Sequence, residues 1–203
     1  MNDYGFKERL AFSKGCAGSN DAETIQRLLP GCINVIQAHE DLDKTGVDFV
    51  AHLRRGSKVN IDVKRRDLGV SKYWTGEPEL TLEQWSVVPS NTKQGVAGWT
   101  LDESKATDYI LYVFHPADCR DAYLIPFQLL RMAFRRNNVT WRNAYRIGRC
   151  STYGRYETES VFVPASVVID HVAQEMQIVT GPQIAASIFD DDYYASATLG
   201  GDA

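Results

Sequence analysis

The chain has 203 residues and a net charge of −4, and 44% of its residues are hydrophobic while 24% are charged. This composition is typical of a globular domain with a sizeable core, and no apolar run of roughly 18 residues predicts a membrane span. The N-terminus has neither the basic nor the apolar region of a signal peptide, and the four cysteines lack zinc-binding spacing. We therefore expect a cytoplasmic protein with no membrane partner.

The first predicted elements are a short helix and a strand. Asn20 is a helix-capping residue type before a helix over residues 22–29, and Pro30 ends that helix. The largely apolar run at residues 33–38 predicts the first strand. These residues therefore predict a helix followed by a strand.

A β-hairpin follows, and it carries the most informative residues of the chain. Residues 46–53 and 58–64 are predicted to form two strands joined by a tight turn. In the second strand, apolar side chains alternate with the polar side chains of Asn60, Asp62 and Lys64. Because successive strand residues point to opposite faces, Asp62 and Lys64 share one face, where Asp48 of the first strand can lie close to Asp62.

Two neighbouring carboxylates on one sheet face predict a cation site. At a separation of about 4 Å they repel by about 4 kcal/mol at an effective dielectric constant near 20. Carboxylate oxygens that leave room for water and a substrate phosphate suit Mg²⁺ or Mn²⁺. Asp48 and Asp62 are therefore the predicted metal ligands, and Lys64 is predicted to orient or deprotonate an attacking water or to hold a phosphate oxygen. The alternative is a surface hairpin with solvated charges.

Further strands and helices are predicted downstream. Strands are expected at residues 80–85, 110–114, 122–126 and 160–164, with helices from Phe127 onward and over residues 165–177. The pattern contains no repeat and no low-complexity linker, so we expect one α/β domain over residues 1–188. The acidic segment 189–203 is expected to be a flexible tail.

The charge distribution suggests a nucleic-acid partner. After Arg155 the chain has eight acidic residues and no Lys or Arg, so the preceding part is net basic. Aromatic residues are interleaved with six arginines in an acid-free stretch over residues 131–149. Such a stretch can neutralise phosphates and stack on bases, although a solvated helix face followed by a loop would look the same. The predicted nucleic-acid-binding residues are Arg65, Arg131, Arg135, Arg136, Arg142 and Arg146.

The hairpin residues resemble the PD-(D/E)xK nuclease superfamily, which includes restriction endonucleases, archaeal Holliday-junction resolvases and phage-encoded nucleases. The family pattern places an acid on a first helix, an Asp on a second strand, and Asp/Glu-x-Lys on a third. Asp48 matches the second-strand acid, and Asp62 with Lys64 matches the third-strand pair. Val47 stands where the proline of the family pattern would be.

The resemblance implies further features. Glu23 would be the helix acid, with Glu8 as its rival, and Glu83 would be an additional carboxylate on the strand after the lysine. Residues 98–109 would correspond to the family's later helix. The implied fold is a restriction-endonuclease-like core, a central mixed β-sheet flanked by helices. The implied partners are DNA and, because these enzymes often dimerise to cut both strands, a second copy of the chain.

Two functions follow from these expectations. The first is a Mg²⁺- or Mn²⁺-dependent endonuclease that hydrolyses DNA phosphodiester bonds. The second is a catalytically idle nuclease-like fold that binds nucleic acid or protein as a factor of a phage or mobile element. The acids and the lysine favour the first function, because a binding module does not need clustered carboxylates.

Overall fold

A computed structural model describes residues 20–66, 77–114, 121–152 and 156–180 of the chain. In the first half the elements are α1 (Asp21–Leu28), β1 (Cys32–Gln37), α2 (Glu40–Asp43), β2 (Phe49–Leu53), β3 (Lys58–Arg66), β4 (Glu79–Val87) and β5 (Val96–Ala97). In the second half they are β6 (Tyr109–Phe114), β7 (Asp121–Pro126), α3 (Phe127–Ala144), β8 (Ile147–Thr152), β9 (Tyr156–Pro164) and α4 (Ala165–Thr180). The proposed tail 189–203 and Glu8 lie outside the described residues.

The central sheet is mixed and has the strand order β1-β2-β3-β6-β7. Strands β1, β2 and β3 form an antiparallel meander, and β6 lies parallel to β3 and antiparallel to β7. The structure is therefore an α/β fold with a mixed central sheet flanked by helices, which confirms this part of the expectation. The strands predicted over residues 33–38, 110–114 and 122–126 are all present in this sheet.

One face of the central sheet is covered by α1. Ile25 and Leu29 pack in one apolar cluster with Ile61 and Val63 of β3 and with Leu111 of β6. All five side chains are buried. Since side chains alternate along a strand, the side chains of Asp62 and Lys64 must leave the sheet on the other face.

The other face packs against a second sheet and two helices. This second sheet is antiparallel with the order β5-β4-β9-β8. Its buried residues join those of β6, α3 and α4 in the larger apolar core, which includes Leu82, Tyr112, Phe134, Trp141 and Val163. The sequence predicts the strands over residues 80–85 and 160–164, but it does not predict that they form a sheet of their own.

The prediction of a helix over residues 98–109 is wrong. This segment is a series of turns with hydrogen bonds both within itself and to other elements. A Cβ atom at Gly98 would collide with the backbone of Glu83, and the Asp102 carboxylate accepts hydrogen bonds from the backbone and hydroxyl of Ser104. We call residues 98–108 the site loop, since they connect the second sheet to β6.

The predicted helix starts are close to those observed. Helix α3 begins at Phe127, and α4 begins at Ala165 directly after Pro164. Strand β8 follows α3 and is not predicted by the sequence pattern. No helix among the described residues is long and apolar enough to cross a membrane.

Candidate active site

Asp48 and Asp62 lie next to each other at the start of the β2–β3 ladder. The Asp48 backbone N–H donates to the Ile61 carbonyl at 2.8 Å, which extends the antiparallel pairing one residue before β2. The Asp48 Oδ2 atom accepts a 2.6 Å hydrogen bond from the Val63 backbone N–H. Asp62 is 3% exposed. The hairpin therefore brings the two predicted metal ligands together on the face opposite α1.

The environment of Asp48 favours its protonated form. Burial is the main cause that raises the pKa of Asp48 from 3.8 to about 6. The Val63 N–H and the Lys64 ammonium lower this pKa, whereas Asp62 raises it through its negative charge and through side-chain hydrogen bonding. Two crowded carboxyl groups, one of which holds its proton to a higher pH than an ordinary aspartate, are the arrangement that a cation would relieve.

Two lysines contact the Asp62 carboxylate. Lys64 Nζ lies 2.7 Å from Asp62 Oδ1, and Lys105 Nζ lies 2.9 Å from Asp62 Oδ2. The Lys64 ammonium also sits over the ring of Trp99, 5.5 Å from its centroid. Asp62 and Lys64, which the alternation places on one face, therefore form a close ion pair. The Lys105 ammonium is a second positive group on the same carboxylate.

Lys105 is the site residue that the sequence patterns do not identify. It lies in the site loop, and its neighbours in the chain are hydrogen-bonded to the residues before β2. Ala106 N–H donates to the Thr45 carbonyl, and the buried Thr107 hydroxyl donates to the Gly46 carbonyl at 2.7 Å. The sequence offers one signal for Lys105, its position shortly before β6, which is parallel to β3. Because parallel strands start at the same edge of a sheet, the loops that precede them lie at that edge too.

Glu83 is near this cluster but has other partners. Its Oε2 atom accepts hydrogen bonds from the Trp99 backbone N–H at 3.0 Å and from the Ser86 hydroxyl at 2.8 Å. Trp99 in turn lies beneath Lys64. The Glu83 carboxylate therefore anchors the site loop, and its hydrogen bonds do not join it to Asp62.

Glu23 is not brought to the two aspartates. It is exposed on α1, which covers the face of β3 opposite Asp62. The buried acid of this helix is Asp21, which forms an ion pair with Arg65. The structure thus separates the expected helix acid from the expected metal ligands by the thickness of the sheet.

Each of the arginines predicted to bind nucleic acid has a partner within the protein. The pairs are Arg65 with Asp21, Arg131 with the Asp102 carbonyl, Arg135 with Glu103, Arg136 with Glu175, Arg142 with Glu159, and Arg146 with Glu79. Three of the acidic partners, Asp21, Glu159 and Glu175, are almost completely buried. Four of these arginines lie on α3 and hold that helix to the site loop, α4 and β9. A phosphate would have to compete with these contacts.

The residues present fit a divalent cation with a small protein ligand set. Among the described residues, no group of three or more His, Cys, Asp and Glu side chains is placed to hold a metal ion. Mg²⁺ commonly needs only one or two carboxylates, because waters and substrate phosphates complete its coordination. Asp48 and Asp62 could supply these two carboxylates if a lysine amine moves off Asp62.

Comparisons with known proteins do not assign the chain to a family. No protein-family model matches the chain, and neither does any curated protein or solved structure.

Proposed function

We propose that this protein is a metal-dependent nuclease that hydrolyses phosphodiester bonds in DNA. The observation that carries the proposal is the placement of Asp48 beside Asp62 by its hydrogen bonds to Ile61 and Val63, with the Lys64 ammonium 2.7 Å from the Asp62 carboxylate. Two acids and one lysine from adjacent strands agree with the pattern of the PD-(D/E)xK nucleases that the sequence resembles. The mixed sheet supports the proposal only at the level of fold class.

Asp48 and Asp62 would hold the divalent ion, and Asp48 must be ionised to do so. The bound ion would supply Lewis-acid chemistry, lowering the pKa of a coordinated water and neutralising charge on the phosphate. The charged Lys64 amine can only donate hydrogen bonds. It would therefore hold a phosphate oxygen or orient the attacking water, and its seat over Trp99 limits the directions in which it can move.

Contacts to the DNA backbone would come from basic residues around the hairpin. Arg54, Arg55 and Lys58 are exposed at the turn between β2 and β3. They lie on the same ribbon as Asp62 and Lys64, so a strand that crosses the site could also meet this turn. Phosphate contacts of this kind would position the substrate without reading its sequence.

The test compares cleavage by the wild type, Asp62→Asn and Lys64→Met. Supercoiled, linear, single-stranded and branched DNA and an RNA control would be incubated with Mg²⁺, with Mn²⁺ or with EDTA. We expect metal-dependent cleavage by the wild type and a loss of about a hundredfold or more in both variants, because positioned acid–base and charged groups contribute on this scale. Asp41→Asn is the matched control, because Asp41 is an exposed aspartate on α2.

Two results would refute the proposal. One is a wild type that cleaves none of these substrates with either metal. The other is an Asp62→Asn variant that cleaves as fast as the Asp41→Asn control. A contaminating nuclease would show itself by equal activity in all four preparations.

One observation favours the second candidate, an idle nuclease-like fold that binds nucleic acid or protein. Both Asp62 oxygens already have a lysine partner, so the cluster is satisfied without a metal ion. In that case the charges would stabilise the fold, and calorimetric titration with Mn²⁺ would give the same absence of heat for the wild type and for Asp62→Asn. Specific Mn²⁺ binding that Asp62→Asn removes would exclude this candidate.

A further inference from the structure

The cluster contains a charged residue that the proposed chemistry does not require. Lys105 Nζ contacts Asp62 Oδ2 at 2.9 Å, and its side chain is 13% exposed. Lys64 already provides one ammonium group for the same carboxylate. Lys105 therefore places a second positive charge on the oxygen that a metal ion would need.

The Lys105 amine occupies space that is left free by a glycine. Gly46 has a φ of +79°, and a Cβ atom at this position would collide with Lys105 Nζ. The Gly46 carbonyl is held by the Thr107 hydroxyl, so the glycine and the loop that carries Lys105 are fixed to each other. A side chain at residue 46 would therefore force the Lys105 amine to shift from its present position.

We propose that Lys105 is a positioning residue that occupies Asp62 Oδ2 in the metal-free protein and is displaced when a divalent cation binds. This inference rests on the proposed metal-dependent function. An ammonium group and a metal ion are both positive, so they cannot share one carboxylate oxygen at contact distance without strong repulsion. Lys105 therefore keeps Asp62 oriented while the site is empty of metal and weakens metal binding by competing for the same oxygen.

Release of the amine would also move a positive charge toward the substrate. The displaced ammonium stays tethered to the site loop, beside the carboxylates that hold the ion. A phosphodiester that enters the site carries the negative charge such an amine can bind. Metal binding would thus convert Lys105 from a partner of Asp62 into a partner of the phosphate.

The test is calorimetric Mn²⁺ titration of the full chain, without any nucleic acid. In Lys105→Met and Lys105→Gln the competing charge is removed, and Gln can still donate a hydrogen bond to Asp62. In Gly46→Ala the charge is retained but the amine is displaced. Gly56→Ala is the matched control for backbone strain, because Gly56 has a φ of +81° and a Cβ there would have no atom within 4 Å.

We expect both Lys105 variants to bind Mn²⁺ about tenfold more tightly than the wild type, a difference of about 1.4 kcal/mol. Gly46→Ala should also bind more tightly than the wild type, whereas Gly56→Ala should match the wild type. A purely structural role of Lys105 would lower the melting temperature of its variants and leave Mn²⁺ affinity unchanged.

The outcomes separate this inference from the proposed function. If the wild type binds Mn²⁺ and Asp62→Asn does not, the metal site is supported. In that case the role of Lys105 is overturned unless the Lys105 variants and Gly46→Ala all bind Mn²⁺ more tightly than the wild type. If the wild type binds no Mn²⁺, the proposed metal-dependent function fails, and the inference about Lys105 fails with it.

Discussion

Replacing Asp48 by Asn should stabilise the protein at neutral pH when no metal is present. The pKa of Asp48 is raised from 3.8 to about 6, mainly by burial, so ionised Asp48 is less favourable in the folded protein than in the unfolded chain. This difference in pKa corresponds to about 3 kcal/mol. Because Asp48 is only half-buried, solvent screening reduces the expected gain to roughly 2 kcal/mol. An asparagine keeps an acceptor for the Val63 N–H and removes the charge.

The pH dependence of this gain follows from the direction of the shift. The folded protein binds the Asp48 proton more tightly than the unfolded chain, so the wild type is favoured by protonation below pH 4. It loses this stability as the pH rises from about 4 to about 6, and the loss is complete above pH 6. The stability difference between Asp48→Asn and the wild type should therefore be small at pH 4 and reach its plateau above pH 6.

Urea unfolding in EDTA at several pH values between 4 and 8 measures this difference. A gain of roughly 2 kcal/mol would raise the melting temperature by about 4–8 °C for a protein of this size. Asp41→Asn, an exposed aspartate replaced in the same way, is the control variant. If Asp48→Asn is no more stable than the wild type at pH 7.5, or if the stability difference is the same at every pH, the buried Asp48 charge does not destabilise the folded protein.

Three further predictions concern the metal site and the ion pairs. The Mn²⁺ affinity of the wild type should rise with pH and level off above about pH 6, because Asp48 must lose its proton to bind the ion. Calorimetric titrations across this pH range measure the affinity, and an affinity that does not change with pH would show that Asp48 is not a ligand. Glu23→Gln should leave cleavage and Mn²⁺ affinity unchanged, because α1 lies across the sheet from Asp62, and a large loss in either assay would contradict this placement. Arg142→Met should destabilise the protein by roughly 2–3 kcal/mol in urea unfolding, because buried Glu159 loses a guanidinium partner. Arg149→Met is its control and should cost less, because Arg149 is 58% exposed.

The sequence predicts the local elements well and their assembly only in part. The alternation around Asp62 and the apolar run of β6 are strong signals, because each reflects burial along a single strand. The alternation of Leu80 and Leu82 predicts a strand equally well, but it cannot say which sheet the strand joins. Strand β8 is hidden because Gly148 and Arg149 interrupt its apolar pattern, although the glycine lets the ring of Phe162 pack closely.

The candidate site, too, could be predicted where it depends on neighbouring residues and not where it depends on contacts between distant segments. Asp48 and Asp62 could be placed together because a short hairpin fixes which residues face each other. Lys105 could not, because it lies in a loop whose position depends on contacts with Thr45 and Asn60, far away in the sequence. The sequence predicts that the arginines of α3 bind a nucleic acid, but charge along one segment does not reveal that acidic partners for them lie on the site loop, β9 and α4.

The parallel pairing of β3 with β6 sets the order in which the site can assemble. The meander of β1, β2 and β3 needs only short-range closure, so Asp48 and Asp62 can meet early in folding. The amine of Lys105 comes from 43 residues further along and can arrive only after the excursion through β4 and β5 has returned to the sheet. Until Lys105 arrives, Asp48 and Asp62 repel each other and only Lys64 offsets their charge. Divalent ions in the refolding buffer should therefore speed the formation of the hairpin.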